Sequence, residues 1–424
     1  MLKDWLLDTR QCSRALYADL DGSLLLGPRL ASLNPPLWEI GHLGWFQEYW
    51  CLRVRDADKE LLPSILANAD MLYNSSTVPH GTRWDLPLPN IEATQRYLTN
   101  VLERVLQRLE CEPNNEALRY FAELAVFHED MHGEAFIYTR QILSYSRPGL
   151  GANIHAAPGV ALGDDAEIQG GRFLLGADRN RPGFVFDNEK WGHEIDVAPF
   201  RMAKAAVTNV EFLNFVLADG YARREFWSDA GWAWREKERA HHPLYWQARD
   251  SVWYLREFDQ WVLLREREHD AIIFVNWFEA AAYCRFAKRR LPTEAEWEFA
   301  AGGSAKRDYP WSQHGTGSQA ASRANLDGIS ATAGAVSAFP AGDTPEGLRQ
   351  MWGNVWEWAA DWFAPYPGFI RDPYKEYSEP WFGDHKVLRG GCFATRSRLL
   401  RNTWRNFYTP DRRDVFAGFR TCAP

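Results

Sequence analysis

NNEALRYFAELAVFHEDMHGEAFIYTRQIL, residues 114–143, sets the frame for the first part of the chain. It contains no proline, and Phe121, Leu124, His128, His132 and Ala135 recur along one stripe at helical spacing. His128 and His132 stand at i and i+4, so their rings leave the same helix face. His128-Glu129-Asp130-Met131-His132 fits H-E-x-x-H letter for letter, the pattern in which two histidines bind zinc and the Glu acts as general base on a metal-bound water. The same spacing suits any other metal. A lone histidine on an apolar stripe is usually a satisfied core residue, but burying two rings without partners is costly, and that favours a ligand pair.

Working outward, NPPLWEIGHLGWFQEYWCLR (34–53) predicts a helix with Asn34 as N-cap and Pro35 at its first position. Trp38, His42, Trp45 and Tyr49 follow at steps of four, three and four, one face of that helix. NIEATQRYLTNVLERVLQRLE (90–110) is a further amphipathic helix, and the N-terminal segment supplies a fourth, which is the content of a bundle. His42 thus adds a third inward imidazole from a second helix, and three such rings can converge on one ion. The extended zinc pattern H-E-x-x-H-x-x-G-x-x-H fails, because Ala135 and Tyr138 occupy the Gly and His places. Three imidazoles with open positions suit Zn(II) or non-haem Fe(II), and the spacing does not choose between them.

After this part comes SRPGLGANIHAAPGVALGDDAE (146–167), whose Gly, Pro and Ala content marks a linker. Beyond it, GGRFLLGAD (170–178), FVFDNEKWGHEIDVAPF (184–200) and AIIFVNW (271–277) read as short strands, and NVEFLNFVLADG (209–220) and WFEAAAYCRFAKR (277–289) as short helices. At 424 residues the chain has room for at least two domains. A net charge of −8 argues against nucleic acid and anionic membrane as main partners. No apolar run reaches membrane-spanning length, the first residues do not form a signal peptide, and six scattered cysteines without C-x-x-C read as reduced thiols of a cytoplasmic protein. With 21 tryptophans beside 16 tyrosines and 24 phenylalanines, large rings are expected to fill the core, and some to line a pocket for a flat or cationic ligand.

MWGNVWEWAADWF (351–363), KVLRGGCFATRSRLLRNTWRNFYTPDRRDVFAGFR (386–420), FDNEKWGHEIDVAPFRMAKAAVTNVEFLNFV (186–216) and RLPTEAEWEFAA (290–301) resemble the formylglycine-generating-enzyme-like fold. The two copper-binding cysteines of the true formylglycine-generating enzymes are replaced here by Thr395 and Leu400, and Cys392 takes the place of a Ser, which implies a structural thiol and no copper chemistry. LWEIGHLGWFQEYW (37–50) and FHEDMHGEAF (127–136) resemble the metal-ligand segments of a DinB-type bundle. Together the two parts resemble the ergothioneine synthases and their selenoneine synthase relatives, over nearly the whole chain. That resemblance implies an α+β protein. A DinB-like four-helix bundle would span 1–148, a linker 149–166, and an irregular formylglycine-generating-enzyme-like (C-type-lectin-like) domain 167–424.

The resemblance further implies Fe(II) held by His42, His128 and His132, and O2-dependent bonding of sulfur or selenium to C2 of the imidazole of trimethylhistidine (hercynine). Substrate contacts would come from Arg83 and Met131 and from Asn406, Phe407, Tyr408 and Arg412; Tyr374 and Tyr377 are the candidate proton or electron donors. Glu129 and Glu134 would lie behind the ligands or on the helix surface, and His155, His193, His241, His242 and His269 in loops or at the surface. Two departures bear on the substrates. Met131 replaces a Gln that would contact the substrate imidazole, and Tyr408 stands where an acid would pair with the amine of a cysteine-type donor. A selenosugar donor fits both better than γ-glutamylcysteine or cysteine, the donors of an ergothioneine synthase. A zinc-dependent DinB-like hydrolase or thiol transferase would use the same three histidines.

Overall fold

A computed structural model of the chain describes residues 1–54, 61–149, 159–181, 183–311 and 320–424. Two units separate within it, Met1–Gly149 and Leu150–Pro424. In the first, helices α1 (Leu2–Tyr17), α2 (Pro36–Glu48), α4 (Ile91–Cys111) and α5 (Glu116–Ile142) are joined by a short α3 (Ala69–Tyr73). Helix α1 packs on α5, and α2 packs on both α4 and α5.

Local chemistry sets these helices. Asn90 and Asn115 cap α4 and α5 by accepting the amides of Ala93 and Leu118. Leu98, Val101 and Val105 of α4 are fully buried, each contributing roughly 1.5–3 kcal/mol. Helix α2 starts one residue later than its sequence suggests, at Pro36. Pro35 has an extended ψ of 128° because a residue that precedes a proline is forced out of the helical region, so Asn34 is not the cap. Gly44 lets α2 and α4 approach closely, since a Cβ there would sit 2.7 Å from Leu98.

The second unit is α+β. Its longer helices are α6 (Asn209–Leu217), α7 (Asp229–Glu238), α8 (Trp277–Phe286) and α9 (Glu294–Gly302), followed by a single turn, α10 (Ala320–Arg323). Its strands are β1 (Asp165–Ile168), β2 (Gly171–Leu175), β3 (His193–Val197), β4 (Phe200–Ala203), β5 (Trp246–Arg249), β6 (Val252–Glu257), β7 (Gln260–Leu263), β8 (Trp356–Trp362), β9 (Lys386–Arg389), β10 (Asn406–Tyr408) and β11 (Ala417–Gly418). They form small sheets ordered β1-β4, β2-β3, β5-β6-β7 and β10-β9-β8-β11, the last with β11 parallel to β8.

Residues 271–277 are not the strand their apolar run suggests. They make only one isolated bridge, at Ala271, because Phe274 takes a left-handed φ of 63° and Asn276 then caps α8. Helices α7 and α9 are additions to the sequence reading. Thr293 and Glu296 do carry the capping-box signature that announces α9.

The large rings do fill the core: Trp297, Trp352, Trp356 and Trp358 are among the largest fully buried side chains. Threaded among them is a charge network in which Glu294 accepts from Arg405 Nε at 2.6 Å and Arg389 Nη1 at 2.9 Å, and Glu298 accepts from Arg389. No described helix is long and apolar enough to cross a membrane.

Candidate metal centre

Helix α2 delivers His42 and α5 delivers His128 and His132, and one ring nitrogen of each lies within 4.8 Å of the others. Among the described residues no other trio of His, Cys, Asp or Glu side chains comes together in this way. The hydrogen bonds behind two rings select their tautomers. His42 Nδ1–H donates to the Tyr73 carbonyl at 2.8 Å, and His132 Nδ1–H donates to Glu39 Oε1 at 2.5 Å. Both Nε2 lone pairs are therefore left to face a metal, and the Glu39 arrangement is the carboxylate–histidine pairing that orients metal ligands. His128 lies flat on Phe46, with ring centres 3.6 Å apart and planes 2° apart. His42 is stacked between Trp38 at 5.0 Å and Trp45 at 5.7 Å.

Burial holds the His42 and His128 pKa values well below the ordinary imidazole value, and the neighbouring histidines lower them further. Neutral imidazoles are the form that binds metal, so this donor set fits a borderline divalent ion such as Zn(II) or Fe(II).

The zinc-protease assignment fails on Glu129. Its two carboxylate oxygens accept from Arg10 Nε at 2.8 Å and Nη2 at 3.0 Å, so it is committed to α1 and not available as a general base. It does not lie on the helix surface, being buried. Glu134 is likewise buried.

The remaining residues singled out by sequence fall into local groups. Arg83 stacks on the Trp38 ring at 3.9 Å, continuing the column above His42, and donates to Asn34 Oδ1 at 2.5 Å. Its burial pushes its pKa down to about 10. Met131 is half-buried on α5, one residue before His132.

In the second unit Asn406, Phe407 and Tyr408 make up β10. Phe407 stacks on Phe363 at 4.1 Å within an apolar cluster with Ala359 and Val387. Tyr408 pairs in register with Lys386, and the Arg412 guanidinium sits 5.4 Å over its ring while also pairing with Asp414. Tyr374 and Tyr377 lie 6.0 Å apart. Tyr377 stacks on Phe186 at 4.2 Å, accepts from Trp404 Nε1 at 3.4 Å and meets Phe407 edge-on at 6.0 Å. Burial raises the pKa of both phenols, which keeps them protonated.

Thr395, Leu400 and Cys392 are all buried, and all six cysteines are free thiols. His193, His242 and His269 are half-buried and His241 is exposed, and none joins a ligand cluster, while His155 lies outside the described residues.

Sequence reasoning missed Glu39 and Tyr73. Glu39 had a signal, being an acid three residues before His42 on the same helix face. Tyr73 acts through its backbone carbonyl and left none.

Comparison with known proteins adds to this geometry. Residues 154–423 match the sulfatase-modifying factor enzyme 1-like domain, and residues 6–135 match the DinB superfamily. A hercynine oxygenase of Mycolicibacterium thermoresistibile is 34% identical over 430 residues, covering 98% of this chain and 93% of that protein. The hercynine oxygenase of Mycolicibacterium smegmatis is 34% identical over 404 residues, covering 92% of this chain and 90% of that protein. A formylglycine-generating enzyme of Streptomyces coelicolor is 34% identical over 282 residues, 60% of this chain and 87% of that enzyme.

Proposed function

Because this chain belongs to the hercynine oxygenase family, we propose that it is a non-haem Fe(II), O2-dependent oxidoreductase that joins selenium or sulfur to imidazole C2 of hercynine, with a selenosugar as its preferred donor. The observation that carries the metal part is the trio His42, His128 and His132, two of them held in the tautomer that leaves Nε2 free. Fe(II) bound there would supply open positions for the substrates and O2.

The chain's own residues then have separable tasks. The bundle of residues 1–148 holds the ion, and the domain of residues 167–424 binds the donor. Arg83 and Met131 shape the hercynine side, and Asn406, Phe407, Tyr408 and Arg412 the donor side. Tyr377 or Tyr374, each holding its phenolic proton at neutral pH, serves as the proton or electron donor. Substrates held side by side react as if in one molecule. The substrates are small molecules and O2, with no nucleic acid or membrane partner, and the free thiols suit the cytoplasm.

The donor preference rests on Tyr408. A phenol hydrogen-bonds sugar hydroxyls, whereas an ammonium needs an acid. The family relationship favours a second reading, an ergothioneine-type enzyme that takes γ-glutamylcysteine or cysteine and forms a sulfoxide. The test is O2 uptake by Fe(II)-loaded protein with hercynine and each donor, the products weighed by mass spectrometry. Consumption of O2 with a seleno- or thiosugar in preference to the amine-bearing thiols is expected. Exclusive use of γ-glutamylcysteine would install the second reading, and absence of hercynine-dependent O2 uptake would remove both.

A further inference from the structure

Three ring N–H groups on one face of α2 are all received by a single segment, residues 62–73. Trp38 Nε1 donates to the Leu72 carbonyl at 2.6 Å, His42 Nδ1 to the Tyr73 carbonyl at 2.8 Å, and Trp45 Nε1 to Asp70 Oδ1 at 2.7 Å. The segment is fastened at the other end of α2. Glu48 accepts from Ser64 Oγ at 3.0 Å and from the Ile65 amide at 2.5 Å. Arg53, just beyond α2, donates Nε to the Leu62 carbonyl at 2.8 Å and grips Asp70 through Nη1 at 2.7 Å and Nη2 at 2.8 Å. Gly41 completes the fit, because a Cβ there would come within 2.3 Å of the Tyr73 ring and push it off the helix.

We propose that residues 62–73 form a positioning strap for the metal centre, in which Arg53 and Asp70 set the tautomer and ring plane of His42 through Trp45 and the Tyr73 carbonyl. This rests on the reading that His42, His128 and His132 hold a metal. The physical need is plain. An imidazole turns readily about its outer torsion and has two neutral tautomers, so a ligating histidine must have both fixed by its surroundings. The Tyr73 carbonyl fixes the tautomer, and the two flanking indoles fix the plane. Those indoles are anchored at their N–H groups by the Leu72 and Asp70 acceptors. Asp70 is the informative position, because its side chain is 45% exposed. Removing it opens no core cavity but takes both carboxylate oxygens from the largely buried Arg53, so metal affinity is read beside stability.

The experiment titrates full-length apoprotein with Co(II), reading affinity by calorimetry and ligand geometry by the visible cobalt bands, with thermal melts alongside. Asp70→Ala and Trp45→Phe, the second of which keeps a stacking ring and loses only the N–H, should each weaken Co(II) binding about tenfold and shift its bands. Tenfold is the low end for groups that orient ligating histidines. Asp70→Asn, which retains an oxygen acceptor for Trp45, should recover most of the affinity. Gly41→Ala, which displaces Tyr73 without harming helix propensity, should weaken binding at least as much. If Asp70→Ala does not fold, Trp45→Phe decides. Wild-type affinity and spectrum in Asp70→Ala and Trp45→Phe would overturn the strap alone. A wild type that binds no Co(II), or a His128→Ala protein that binds it as well as wild type, would remove the metal reading and the strap with it.

Discussion

Both units bury matched charges, Arg10 on Glu129 in the first among them, and the first adds a polar cluster of a different kind. In the second unit the buried charges answer one another. Glu294 and Glu298 face Arg389 and Arg405, and Glu357 accepts from Arg420 Nε at 2.7 Å and Trp297 Nε1 at 2.8 Å. In the first unit the outward nitrogens of His42 and His132 are satisfied by Tyr73 and Glu39, while one nitrogen of each of the three rings is turned toward the others. Neutral imidazole lone pairs cannot satisfy each other. A closed network of matched charges is scaffold, whereas the Nε2 lone pairs of His42 and His132, turned toward the third ring, suit a cation.

The largest expected effects test that contrast directly. Alanine at His42, His128 or His132 should abolish iron binding and hercynine-dependent O2 uptake while far-ultraviolet circular dichroism stays that of the wild type. Retention of full iron occupancy by His42→Ala would mean that the trio is not the site. The matching change in the second unit should have the reverse signature. Arg405→Ala leaves Glu294 short of a partner in a dry interior, and breaking such a pair costs roughly 3–5 kcal/mol. Denaturant melts should show a large loss of stability in that protein, with iron still bound by the first unit. If Arg405→Ala instead loses iron and keeps its stability, the two networks are not separable as described.

The two units also differ in how much of them could be read from sequence. The bundle is legible because its helices carry a 3.6-residue period and asparagine caps, and because His128 and His132 stand on one apolar stripe. What escaped was chemistry across helices: Glu39 behind His132, Arg10 on Glu129, and a carbonyl behind His42. Backbone acceptors have no sequence signature, and an ion pair between residues far apart in the chain has no period. The second unit was legible by motif more than by pattern. Its strands are short and its sheets small, so local periodicity is brief, and a left-handed Phe274 is enough to undo the apolar run 271–277 as a strand. Which carboxylates receive its buried arginines depends on packing alone.

A smaller effect is expected where the second unit is proposed to meet substrate. Tyr408 lies beside Lys386 across the strands and under the Arg412 guanidinium, surroundings that offer an incoming ammonium two cations and a neutral phenol. Tyr408→Asp supplies an acid there. A charge-assisted hydrogen bond contributes roughly 1.5–3 kcal/mol, about tenfold or more in relative affinity. Donor competition in one reaction should move by that factor toward cysteine or γ-glutamylcysteine, chiefly through KM for the donor. An unchanged product ratio would place the donor elsewhere.

The smallest expected effect concerns the exception within the second unit's closed chemistry. Asp270 is only loosely paired, since Arg267 Nε is 3.7 Å from its Oδ2 and gives its shorter contact, 2.9 Å, to Glu257. Burial pushes the Asp270 carboxyl up to about 7 from 3.8, with Arg267 opposing the rise and Glu257 adding to it. Between those values the folded state keeps a proton that the unfolded chain has already released. Stability therefore falls as pH rises through that window, and the full penalty is present above the folded value. Asp270→Asn removes the titration while keeping shape. It should raise the melting temperature of the second unit at pH 8 by a few degrees, corresponding to about 1 kcal/mol once screening is allowed for. The gain should shrink as pH is lowered and be small near pH 4, where the folded aspartate is protonated and the unfolded one about half so. Thermal melts of the two proteins at pH 8, 6 and 4 make the comparison. A gain of equal size at all three would mean that Asp270 is destabilising through its packing and not its charge.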